Sequence, residues 1–107
     1  MTTFDKREKA FEDEFIHDEE LKFKAEARRN KMLGLWAAEK LGLSGEAAAD
    51  YSKAVVTAEI DAASDKGVVG KIMSDFAAKG ISVTETDLRT RMNELLAAAV
   101  AQIKAGV

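Results

Sequence analysis

The sequence predicts an all-α fold: a four-helix bundle with a long first helix and a mobile N-terminal arm. Three observations carry that prediction. The 107 residues include no proline, so nothing forces a helix to kink or stop. Hydrophobic residues make up 47% of the chain, many of them alanine, which suits helices packed closely on one another. Apolar residues recur at three- and four-residue steps in successive stretches separated by short breaks containing glycine or serine. The length fits one domain with a modest core, divided as an arm over residues 1–19 and a bundle over 20–107.

In chain order, Phe4, Phe11 and Phe15 come first, at offsets that place three rings on one side of a helix, with Thr3 available as a cap. Most residues around them are charged, and an isolated helix of this length is marginal in water. Periodicity leaves two readings open: a partly helical or frayed arm with a narrow hydrophobic edge, or an extension of the core. The spine follows, from about Glu19 to Leu41, with Leu21, Ala25, Met32, Leu35 and Trp36 as its expected apolar stripe. That stripe is rotated by roughly 60 to 80° from the phenylalanine stripe at 100° per residue, which marks a break near His17 to Glu20.

Leu41-Gly42-Leu43-Ser44-Gly45 reads as a stop and restart, with Ser44 as the expected cap. The second helix spans about 45–63 with a stripe of Ala48, Tyr51, Val55, Ala58 and Ala62, widened by Val56 and Ile60. Ser64 to Gly67 is the expected turn, and Val69, Ile72, Met73 and Phe76 form the face of a short third helix ending at Lys79-Gly80. Thr84 caps the last helix, with Asp87 three residues on and Val83 and Leu88 placed as a hydrophobic staple. Its core face is Leu88, Met92, Leu95, Leu96, Ala99 and Ile103. Short connections imply consecutive helices that run antiparallel.

The net charge of −3 is unevenly spread: residues 1–20 carry −5, residues 21–40 carry +4 and the remainder −2. An acidic arm beside a basic spine suggests a folded-back arm or two solvated faces with different partners. The acidic balance and the lack of a recognition motif argue against nucleic acid. The longest apolar run, Leu95 to Ala101, is too short to span a bilayer, and the first residues lack the hydrophobic stretch of a signal peptide; a cytoplasmic protein is expected, without direct membrane insertion.

No catalytic constellation is visible. The chain has one histidine, His17, no cysteine and no glycine-rich phosphate loop, so the chain is not expected to be an enzyme or to hold a metal or other cofactor. Adjacent acids such as Asp13 and Glu14 diverge on a helix, and His17 with Asp13 or Glu20 makes at best a weak two-ligand site. Lys22, Lys24, Arg28, Arg29 and Lys31 form one cationic cluster, in which Lys24, Arg28 and Lys31 share a face. These three are the candidates for an acidic partner surface or for weak binding of ATP or ADP. Trp36 and Tyr51, at core spacing, are expected to pack rather than bind.

The run Glu19 to Lys31, Glu-Glu-Leu-Lys-Phe-Lys-Ala-Glu-Ala-Arg-Arg-Asn-Lys, together with the head Met1 to Glu12 and the segment Arg89 to Ala99, resembles the ATPase-inhibitor zeta subunit family of alpha-proteobacterial F-type ATP synthases. The resemblance covers essentially the whole chain. It implies a helical bundle and an inhibitory arm that enters the interface between alpha and beta subunits of the catalytic head and blocks ATP hydrolysis. Phe4, Asp5, Arg7, Glu8, Phe11 and Phe15 match that family's arm and are the implied contacts. The central stalk is a further implied partner, and the protein would lie peripheral to the inner membrane through the synthase. From the residues alone the alternative is a helical adaptor that works through the basic face of the first long helix.

Overall fold

A computed structural model describes residues 19–106, which form four helices: α1 over Glu19–Lys40, α2 over Gly45–Ala62, α3 over Asp65–Ala78 and α4 over Glu85–Lys104. There is no strand among the described residues. At about 1.5 Å per residue α1 is roughly 33 Å long, the longest of the four.

The ends follow from local chemistry. Gly42 (φ 79°) and Gly80 (φ 71°) turn the chain left-handed, and in each case the next amide bonds back to the helix: Leu43 N–H to Ala38 O at 2.8 Å, Ile81 N–H to Phe76 O at 2.9 Å. Leu43 and Ile81 then pack against the core. Thr84 caps α4 as expected, its hydroxyl accepting from the Asp87 amide at 3.1 Å. Two expectations change here. Ser44 stands at the start of α2 in an extended conformation with no side-chain cap bond. The expected turn over Ser64 to Gly67 is helix from Asp65 onward: Ala63 makes the left-handed step (φ 55°), Ser64 caps by accepting from the Lys66 amide, and α3 begins at Asp65.

α1 lies between α2 and α4, α3 packs on α2, and α3 touches α4 only lightly. Arg29 meets Glu59 while Gly34 meets Ser52, so α2 runs antiparallel to α1. Arg28 reaches Gln102 while Trp36 lies under Arg91, so α4 does too. The main core is built from Leu33, Ala37, Val55, Ile72, Phe76 and Leu88, with Val68, Val69 and Met92 beside them. Ala25 and Val100 anchor a smaller cluster at the start of α1, flanked by Leu21, Leu96 and Ile103. Trp36 and Tyr51 pack as expected: the Trp36 ring meets Phe76 edge-on at 5.9 Å, and the Tyr51 hydroxyl donates to Asp75 at 2.8 Å.

The buried face of α1 only partly follows the expected stripe: Ala25 is buried and Leu21 and Trp36 pack against the cores, but the main row is a different one. Ala25, Arg29, Leu33 and Ala37 recur every four residues, with Asn30, Gly34 and Ala38 beside them, whereas Met32 is half-buried and Leu35 is 43% exposed. On α2, Ile60 is 61% exposed and Ala62 is exposed as well, while Ser52 is buried. The reason is close approach: a Cβ on Gly34 would stand 2.6 Å from Ser52 Cα, and the Ser52 hydroxyl donates to Lys31 O at 2.7 Å. Small residues draw the two backbones together, and the larger side chains beside them are turned outward.

Candidate functional site

Phe4, Asp5, Arg7, Glu8, Phe11, Phe15 and His17 lie outside the described residues. The candidate site within them is the start of α1, where a basic face and an apolar face diverge.

The basic face is more dispersed than its spacing implies. Lys24 is exposed and bonded to Glu20 at 3.2 Å. Arg28 is half-buried, its guanidinium donating to Gln102 Oε1 at 3.4 Å, and the same Gln102 amide lies 3.7 Å from Met32 Sδ. Lys31 is exposed nearer the α2 side. Lys24 and Arg28 together line a shallow cavity of about 370 Å³ with Phe23, Ala27 and Ile103; Lys31 takes no part in it.

Arg29 leaves the cationic cluster altogether. It is 6% exposed and directed at α2, where Nη2 donates to Glu59 Oε2 at 2.7 Å and Nε donates to Asn30 Oδ1 at 3.0 Å. The Asn30 amide donates to the same Glu59 oxygen, so three polar groups close on one another. Among the described residues no buried side-chain polar atom lacks a partner. Glu26 stands at the edge of this cluster, and burial, reinforced by the nearby Glu59 charge, raises its carboxyl above the usual range against the opposing pull of Arg29 and Lys22.

Two features of this region escape sequence reasoning. Arg29 and Asn30 look like surface residues by type, and only their place in the Ala25, Leu33, Ala37 row marks them as buried. Phe23 is 63% exposed although it is the largest apolar residue in the first half of α1; the clue was that it stands apart from the expected stripe, between two lysines. Among the described residues no group of three or more His, Cys, Asp or Glu is placed to hold a metal.

The family model for ATPase inhibitor subunit zeta matches residues 1–102, nearly the whole chain. The chain belongs to this family. No curated protein matches it significantly. The match to the zeta family takes in the start of α1 and the whole polar cluster around Arg29, and it extends through the six arm residues that lie outside the described region. The zeta family is by its description one of inhibitor subunits, which agrees with the resemblance carried by Glu19 to Lys31. No helix among the described residues is long and apolar enough to cross a membrane.

Proposed function

We propose that this chain is a regulatory subunit, not a catalyst, of an F-type ATP synthase. Residues up to about Glu19 enter an alpha/beta interface of the catalytic head and block ATP hydrolysis, and the bundle over residues 20–107 is the mount. The central stalk is a further contact, and the site of action is cytoplasmic, at the periphery of the inner membrane.

The observation that carries this reading is the extent of the zeta family match, which begins at residue 1 and so includes Phe4, Phe11 and Phe15 along with the bundle. Physical chemistry supports it. An arm that orders on binding loses conformational entropy at that moment, and three buried phenylalanines contribute roughly 6 kcal/mol towards offsetting the loss, at about 2 kcal/mol each. The arm also leads directly into α1, whose first turns are held by Leu21 and Ala25 against Val100.

The test is hydrolysis by a matching catalytic head. The full chain lowers it, and a variant lacking residues 1–19 does not, while circular dichroism shows its helices retained. Undiminished inhibition by the truncated chain would refute the arm mechanism.

One observation favours a second reading, an adaptor that binds ATP or ADP weakly or an acidic partner: the cavity that places Lys24 and Arg28 beside Phe23 and Ile103. Under this reading, millimolar nucleotide shifts the amide resonances of Lys24 and Arg28, and alanine at both positions removes the shifts. Unchanged spectra would rule out nucleotide binding at this face.

A further inference from the structure

The large hydrophobic side chains most exposed among the described residues are Phe23, Ile60 and Leu35, and they belong to one surface. Phe23, Ala27, Val56 and Ile60 line a depression over the α1/α2 seam. Val56 also lines the adjoining hollow of about 570 Å³, with Leu35, Ala49 and Lys53. The two depressions therefore join into one groove. On α1 its wall is the four-residue row Phe23, Ala27, Lys31, Leu35, roughly 18 Å long at the helical rise. On α2 it is the row Ile60, Val56, Ser52 or Lys53, Ala49.

The segment that precedes α1 suits this groove in three respects. As a helix, Phe4 to Phe15 span about 16 Å, close to the Phe23 to Leu35 distance. Glu8 and Glu12 fall on one side of the phenylalanine stripe and Arg7 and Glu14 on the other, while Lys6 and Lys9 fall on the far face. Towards Leu35 the groove is edged by Lys31 and Lys53, while its Phe23 end carries both signs, Lys22 with Glu26 and Asp65. Its acid near the seam, Glu59, is engaged by Arg29 and Asn30. Finally, the segment ends at Asp18, next to Glu19 and one turn from Phe23, so it joins the fold at the groove's mouth. A reversal through residues 16–18 has the length of an ordinary helix-hairpin loop.

We infer that the α1/α2 groove is a docking site for residues 4–15 of the same chain, folded back so that Phe15 lies near Phe23 and Ile60 and Phe4 near Leu35 and Ala49. Docking covers the same three phenylalanines that the inhibitory reading assigns to the catalytic head. The groove and the head then compete for one ligand, and the free protein holds its arm in reserve. That consequence rests on the proposed inhibitory function, whereas the docking itself does not.

The absence of native cysteine makes the test direct. A nitroxide attached to Thr2→Cys in the full chain broadens the amide signals of Leu35, Ala49 and Lys53; the effect survives dilution and disappears in Leu35→Glu, a change at an exposed position. Absence of broadening would overturn the inference. So would broadening seen only between a spin-labelled copy and a separate isotope-labelled copy, which would assign the groove to a second chain. A response of these amides only when the catalytic head is added would assign it to that partner and overturn self-docking equally. In a hydrolysis assay Leu35→Glu inhibits more strongly than the parent, by about tenfold if the docked form holds roughly nine-tenths of the molecules. Broadening without any inhibition would leave the docking intact and refute only the inhibitory reading.

Discussion

Arg29 on α1 and Glu59 on α2 are joined at 2.7 Å, with side chains only 7% and 18% exposed. Asn30 completes the bonding of both. A pair this deep is costly to assemble and more costly to halve, because the surviving charge is left without a counterion. Glu59→Ala is therefore expected to lower stability by about 3–5 kcal/mol in urea unfolding, and replacing Arg29 and Glu59 together by methionine and leucine is expected to recover most of that loss.

Gly34 faces Ser52 with no room for a methyl group, since a Cβ would stand 2.6 Å from the Ser52 Cα. In an open helix, glycine to alanine gains about 1 kcal/mol from backbone entropy. Here the forced separation of α1 and α2 outweighs that gain, and Gly34→Ala is expected to lower stability by about 1–3 kcal/mol, seen as a fall in Tm. The same change at Gly70, which has open space around it, is expected to raise Tm.

The Glu26 carboxyl has a raised pKa because burial and the Glu59 charge penalise its ionised form. A carboxyl bound more tightly to its proton in the folded state makes stability fall as pH rises from the unfolded value through the folded one. Glu26→Gln is expected to raise Tm at pH 7, and the gain is expected to vanish as pH falls below about 4.5, where Glu26 is protonated in both states. Melting curves across pH 4 to 8 check both the sign and the window.

The two caps differ in chemistry and so in cost. Thr84 accepts from the Asp87 amide, whereas Ser44 makes no side-chain cap bond. Thr84→Ala is expected to cost about 1 kcal/mol and Ser44→Ala only a few tenths, measured side by side by thermal unfolding.

The sequence by itself determined where the helices lie. The end of α1 at Lys40, the glycine stops at Gly42 and Gly80, and the Thr84 cap are all legible because each depends on a few neighbouring residues and their own backbone preferences. It also carried the family resemblance, through Glu19 to Lys31 above all. Which face of each helix is buried was decided only by the tertiary structure. Packing between α2 and α4 turned Arg29 and Asn30 inward and left Phe23 and Leu35 outward, although polarity alone predicts the reverse for most of them. The physical reason is that α1 is gripped on two sides through Gly34, Ala37 and Ala38: these small residues fix its rotation by backbone proximity, and the larger and charged side chains take the positions that remain.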